Sequence, residues 1–170
     1  MILIDVGNTN TVIGTYSGKK LIKIKRIKTT NLKNFSSKIE NYFKSYNKSN
    51  KNNFCIFSSV VPKINSLLKF IIKKNNFNFF NLNMNNLPFK LNIKYDKKKI
   101  GADRIANLIA INNYKIRNCI IIDFGTATTF DVIINKTYLG GVIAPGVKLS
   151  LENLSNKASL IPKIKLSKIS

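Results

Sequence analysis

The chain has 170 residues, 44% of them hydrophobic, with 29 Lys+Arg against 7 Asp+Glu, two cysteines and neither His nor Trp. That suffices for one domain or two small ones, and the lack of His excludes Ser-His-Asp, Cys-His and His-ligated metal chemistry. Cys55 and Cys119 have no CxxC spacing, and no apolar run approaches the ~18 residues of a membrane span, so the expectation is a cytoplasmic protein without a membrane partner. The net charge of +22 attracts anions in general, but the lysines are scattered through every element beside Asn and Ile, and only Arg26, Arg104 and Arg117 are arginines. That pattern fits compositional drift better than a nucleic-acid surface, so no nucleic-acid partner is expected.

Taken in chain order, Met1–Val6 reads as a short apolar strand, Gly7 to Asn10 as a turn, and Thr11–Tyr16 as a second strand. Ser17-Gly18 reads as a hairpin turn into a third strand over 21–28. Phe35, Ile39, Tyr42, Phe43 and Tyr46 recur at helical spacing behind Thr30 or Asn31 as N-cap. A buried strand follows over 54–61, and Pro62 opens a helix with the stripe Ile64, Leu67, Leu68, Ile71 and Ile72. A further strand is expected over 77–82, and Leu91, Ile93 and Tyr95 alternate as another. Lys97 to Lys99 reads as solvated loop, and Gly101-Ala102-Asp103-Arg104 leads into a helix.

Near Ile116–Asn118 the pattern begins again. Ile121-Ile122-Asp123-Phe124-Gly125-Thr126 lies over Leu3-Ile4-Asp5-Val6-Gly7-Asn8 at an offset of 118, and the same offset, carried without a gap, sets Asn135-Lys136 over Ser17-Gly18. A strand, a D-x-G turn, a strand, a tight turn and a strand therefore occur twice, which indicates a duplicated α/β unit: 1–117 as one domain and 118–170 as a second, incomplete one.

Aspartate beside a glycine turn at the end of a buried strand is where an α/β protein places ligand groups. Gly7 and Gly125 allow close approach of backbone to a polyphosphate, and Asn8, Thr9, Thr11, Thr126, Thr128 and Thr129 add neutral donors. A carboxylate repels phosphate, so Asp5 and Asp123 suit a cation or a hydrated Mg2+ held by the phosphates. Asp96 and Asp131 read as turn-forming residues, whereas Asp103 either caps its helix or acts chemically. Asp123-Phe124-Gly125 spells the protein-kinase DFG, but without His there is no catalytic loop to match, and neither a P-loop nor G-x-G-x-x-G occurs.

Four segments together carry a resemblance: 5–11 (DVGNTNT), 101–104 (GADR), 123–131 (DFGTATTFD) and 140–146 (GGVIAPG). In them the chain resembles the type III pantothenate kinases, of the superfamily of acetate and sugar kinases, Hsp70 and actin. The resemblance implies two duplicated ribonuclease-H-like, actin-like ATPase domains with mixed sheets that clasp ATP between D-x-G turns, here with the Asp5 and Asp123 turns facing across one cleft. It further implies that Asp5, Val6, Gly7, Asn8, Thr9, Asn10, Thr11 and Val12 form the ATP phosphate loop with Thr126 as a further contact. Tyr95, Gly101, Ala102, Asp103 and Arg104 would hold pantothenate, with Asp103 as proton acceptor. Asp123 would bind the monovalent cation, K+ or NH4+, used beside Mg2+ and ATP. The implied reaction moves the γ-phosphoryl group of ATP to the primary hydroxyl of pantothenate, the first step toward coenzyme A, in a homodimer.

Family members continue beyond the GGVIAPG-like segment, so the second domain is expected to leave Ile121, Phe130, Val132, Ile134, Val142 and Ile143 more exposed than their types warrant. The 170-residue chain alone is expected to turn over slowly or not at all. Two other readings remain: a catalytically degenerate or regulatory nucleotide-binding relative of the same fold, and a basic nucleic-acid-binding protein.

Overall fold

A computed structural model describes residues 1–47, 53–114, 116–158 and 162. The chain divides into two compact units, Met1–Lys90 with Asp96–Ala110, and Leu91–Tyr95 with Ile111–Ser170.

In the first unit β1 (Ile2–Val6), β2 (Asn10–Ser17), β3 (Lys20–Lys28), β4 (Phe54–Ser59) and β5 (Asn78–Asn81) form one mixed sheet in the order β3-β2-β1-β4-β5. β1 pairs antiparallel with β2 and parallel with β4, and β4 runs parallel to β5. A parallel neighbour needs a crossover, and α2 (Pro62–Lys74) supplies it between β4 and β5. One face of the sheet is apolar at every second residue: Ile2, Ile4, Val6, Ile13, Cys55 and Phe57 pack into one core with Phe35, Ile39 and Phe43 of α1 (Leu32–Asn47) and Ile64, Leu68 and Ile72 of α2. Asn31 caps α1, its Oδ1 accepting from Asn34 N at 3.0 Å. The other face carries Leu3, Asp5, Val12, Gly14, Ile24, Ile56 and Ser58. These line a cavity of about 310 Å3 together with Ala106 of α3 (Ala102–Asn113).

The second unit holds β6 (Cys119–Phe124), β7 (Ala127–Ile134) and β8 (Thr137–Pro145) in one antiparallel sheet, followed by α4 (Val147–Lys157). The expectation of a mixed sheet therefore holds for the first unit, and the described strands of the second are antiparallel only. Ile134, Val142 and Ile143 are exposed, as expected of an uncovered sheet, while Ile121, Phe130 and Val132 are half-buried.

The structure corrects the repeat in one respect. β1 and β6 correspond at an offset of 118, but β2 with β7 and β3 with β8 correspond at 117, so one residue is missing from the second turn. The β2–β3 turn is Gly18-Lys19 rather than Ser17-Gly18, and it matches Asn135-Lys136. Gly18 has φ +56, and Asn135 and Lys136 have φ 50 and 60, the left-handed pair of a type I′ hairpin turn. At the 117 offset a register irregularity falls at matching places, between Thr15 and Tyr16 and between Val132 and Ile133. A shared bulge is harder to reach by coincidence than a shared strand, and it strengthens the duplication.

Further differences are local. The residues Leu91, Ile93 and Tyr95 form no strand; Ile93 makes one bridge to Tyr138, with Lys94 N donating to Tyr138 O at 2.9 Å and Tyr138 N to Asn92 O at 2.8 Å. Lys97–Lys99 is a short 3-10 turn rather than open loop, capped by Asp96, whose Oδ1 accepts from Lys98 N at 3.0 Å. Asp96 thus has the turn role expected of it. Asp131 does not: it sits inside β7, fully buried, and accepts from Tyr138 Oη at 2.8 Å.

Candidate active site: two glycine turns, a helix-entry carboxylate and a basic cavity

Asp5 lies near the end of β1, opposite Val12 of β2 and Ser58 of β4. Its side chain points to the open face because Ile4 and Val6 take the core positions. Ser58 Oγ donates to Asp5 Oδ1 at 2.6 Å, which fixes the carboxylate while leaving it exposed. Beyond Val6 the chain turns sharply: Gly7 N donates to Asn10 O at 3.0 Å, and a Cβ on Gly7 would stand 3.1 Å from that oxygen. The turn is braced by Thr29 N donating to Thr9 O at 3.0 Å and by Val60 N donating to Val6 O at 3.1 Å. Asn8 and Thr9 are left at its exposed tip.

Not every residue of this loop presents its side chain. Val6 is in the core, and the buried Thr11 hydroxyl bonds Thr29 Oγ1 at 2.9 Å. Thr11 therefore holds the turn to Thr29, just past β3, rather than offering its hydroxyl to a ligand, a correction to the expectation of a free donor there.

The second turn is built alike. Asp123 is exposed near the end of β6, and Gly125 N donates to Ala127 O at 3.0 Å. Gly146 seats against it: Gly146 N donates to Thr126 O at 3.0 Å, and a Cβ on Gly146 would collide with the carbonyl oxygens of Gly125 and Thr126. Gly146 is also the N-cap of α4, so this glycine lets a helix start close to the turn. Thr126 is exposed, whereas Thr128 and Thr129 are buried in β7 and do not face a ligand at the tip.

Asp103 stands in the first turn of α3, where negative charge is favoured by the helix dipole. Its Oδ1 accepts from Arg104 N at 2.7 Å, and a Cβ on Gly101 would lie 2.5 Å from the same oxygen. The carboxylate thus folds back over Gly101, and a side chain there would push it aside. Ile105 N donates to Gly101 O at 3.1 Å, the first helical bond. Arg104 is buried, so its guanidinium faces protein rather than an open cleft.

A cavity of about 620 Å3 opens beside this entry, at the carboxyl ends of the parallel strands β4 and β5. Ser59, Asn81, Asn83 and Gly101 line it, with Lys97, Lys98 and Lys99 along one side. Asn65 of α2 also lines it, and its Oδ1 is buried without a hydrogen-bond partner among the described residues. An acceptor held out of water is a site for a ligand or solvent donor. The sequence alone did not point to Asn65; its only signal is a polar residue beside the buried stripe of α2.

Tyr95 lies in the second unit with its ring packed edge-on to Tyr138, centroids 6.1 Å apart, and is partly exposed. Among the described residues no three or more His, Cys, Asp or Glu gather as a metal cluster. The exposed carboxylates of Asp5 and Asp123 could each give a cation one ligand, the remainder coming from phosphate oxygens and water.

The chain spans about two thirds of the length of the curated relatives it matches. It is 49% identical over 166 residues to a type III pantothenate kinase of Pelagibacter ubique, covering 96% of this chain and 66% of that protein. It is 37% identical over 177 residues to one of Syntrophus aciditrophicus, covering 98% and 68%. Among solved structures it resembles a Campylobacter jejuni protein assigned to the Baf family of transcriptional activators, with TM-score 0.60 and 25% identity over 100% of this chain and 68% of that one. The ethanolamine utilization protein EutJ of Carboxydothermus hydrogenoformans, at TM-score 0.57 and 11% identity over 94% and 57% of the chains, shares the fold alone. The fold is that of the actin-like ATPases and sugar kinases. The family model for type III pantothenate kinases matches residues 1–170, and the chain belongs to that family.

Proposed function

We propose that the chain serves the ATP-dependent phosphorylation of pantothenate to 4′-phosphopantothenate, in the cytoplasmic synthesis of coenzyme A. The observation that carries this reading is the Asp103 carboxylate, folded over a glycine at a helix entrance beside a basic cavity. Phosphoryl transfer asks little covalent chemistry of a protein, so placed amides, cations and one proton acceptor suffice. Mg2+ and ATP, when bound, supply the phosphoryl group. The exposed tip of the loop from Asp5 to Val12 offers amides to phosphates, with Thr126 as a further contact and Asp5 facing the hydrated Mg2+. Asp103 takes the proton of the acceptor hydroxyl, while Gly101, Ala102 and Arg104 shape the acceptor site with Tyr95. Asp123 holds K+ or NH4+, and the working form is a homodimer.

The test is direct: purified chain with ATP and pantothenate, incubated long enough to register slow turnover, should yield ADP and 4′-phosphopantothenate by mass spectrometry. Asp103→Asn keeps shape but removes the base, so turnover should fall by roughly 10²–10⁴ with pantothenate affinity little changed. Near-normal turnover in that variant would leave Asp103 as a helix-entry residue only. A second reading, a nucleotide-binding regulatory relative, is favoured by the likeness to the Campylobacter protein assigned to the Baf family. ATP binding without pantothenate-dependent ADP release would select it.

A further inference from the structure

We propose that Gly140, Tyr138 and Asp131 are positioning residues that seat Tyr95 for the acceptor; this rests on the reading that Tyr95 contacts pantothenate. The seat lies wholly within the second unit. Residues 91–95 are laid along β8 by the two backbone bonds on either side of Tyr138, so Tyr95 arrives with its main chain already fixed. Its ring then meets Tyr138 edge-on, at an interplanar angle of 77°. The ring also lies against Gly140, which has φ +116, and a Cβ there would stand 2.9 Å from Tyr95 Cδ2 and 3.3 Å from Cε2. Gly140 is thus required twice, for a conformation that L side chains rarely adopt and for the space the ring occupies.

Tyr138 is held in turn from beneath. It is 2% exposed, and its hydroxyl is bonded to the fully buried Asp131. Burying a carboxylate in the middle of a strand is costly, and a hydrogen bond from a buried phenol is one means of offsetting it. Such a cost is out of place for a strand whose only task is to pair with its neighbours. It is in place if the orientation of Tyr138, and through it of Tyr95, must be held. Tyr95 itself remains 38% exposed, an anchored ring available to a ligand.

The experiment measures pantothenate and ATP affinities by calorimetry for wild type, Gly140→Ala, Tyr95→Ala and the double variant. NMR of isotope-labelled tyrosine reports the Tyr95 ring. Gly140→Ala should move the Tyr95 signal, weaken pantothenate by about tenfold to a hundredfold and leave ATP unchanged, since a displaced positioning group costs about that much. In the Tyr95→Ala background Gly140→Ala should add nothing. If Gly140→Ala does not fold, Tyr138→Leu, which removes the edge contact without touching the backbone of Gly140, should give the same pattern. The proposal is overturned if Gly140→Ala costs as much in the double variant as alone, if the ring signal moves without loss of pantothenate affinity, or if Tyr95→Ala binds pantothenate as wild type does. The last outcome leaves the kinase reading to the Asp103 test, whereas wild type binding ATP but no pantothenate would overturn both.

Discussion

Ile2, Ile4 and Val6 of β1 are 0%, 3% and 1% exposed, whereas Ile120, Ile122 and Phe124, at the corresponding positions of β6, are 62%, 49% and 72% exposed. The two strands have the same apolar alternation, the same D-x-G turn and the same antiparallel partner. What differs is the cover. α1 and α2 lie on the β1 face, while among the described helices of the second unit α4 lies against β7. Burial is therefore a property of the assembly around a strand rather than of the strand, and a duplicated hairpin can be a core in one copy and a surface in the other.

The contrast is broken most sharply by paired truncations. Ile4→Ala should cost about 2–5 kcal/mol of stability, the loss of buried methylenes plus the cavity left behind. Ile122→Ala, at the matching place, should stay within about 0.5 kcal/mol. Urea unfolding of both variants decides it, and an equal loss at Ile122 would mean that something covers β6 in solution.

The cysteines sharpen the same comparison. Burial in β4 pushes the Cys55 thiol up to about 12 from an ordinary 9.0, while Cys119 in β6 is half-exposed. The unfolded chain ionises Cys55 from about pH 9, but the folded chain keeps it neutral. Stability is therefore complete below pH 9 and falls above it, by about 1.4 kcal/mol per pH unit. Tyr46, raised by burial and by the nearby Tyr42, adds to the fall in the same direction. Cys55→Ala should flatten this alkaline slope, and a thiol reagent should label Cys119 in the native protein well before Cys55. A slope unaltered in Cys55→Ala would assign the alkaline loss to other groups.

The smallest expected effect separates the two turns. If Asp123 holds the monovalent cation and Asp5 faces Mg2+, Asp123→Ala should remove a stimulation by K+ of roughly tenfold, one charge interaction of about 1.4 kcal/mol. Asp5→Ala should keep the stimulation and weaken ATP instead. Stimulation surviving in Asp123→Ala would place the cation elsewhere.

Much of this architecture is legible in the residues themselves. The stripe of α1 from Phe35 to Tyr46 and that of α2 from Ile64 to Ile72 announce themselves by spacing, and the repeated Asp-x-Gly turns mark the ends of β1 and β6. The gap between the repeats is not legible, because aligning Asp5 with Asp123 satisfies the motif whether or not the hairpin after it slides by one residue. Leu91, Ile93 and Tyr95 alternate like a strand, yet they pair only at Ile93. Alternation reports which way side chains point and is silent on whether a partner edge is free.

Local pattern determined most of the order of elements, both D-x-G turns and the family, since periodicity, turn chemistry and motif spacing are carried by neighbours in the chain. Tertiary structure alone decided which polar groups are buried inside the fold: Thr11 bonded to Thr29, Asp131 bonded to Tyr138, and Arg104 despite its place in a substrate motif. It also decided which apolar face is covered, and that Gly140 and Gly146 are glycines because Tyr95 and the Gly125-Thr126 turn occupy the space a Cβ would take. Each of these depends on atoms brought together from distant parts of the chain, and such distances are not written in local sequence.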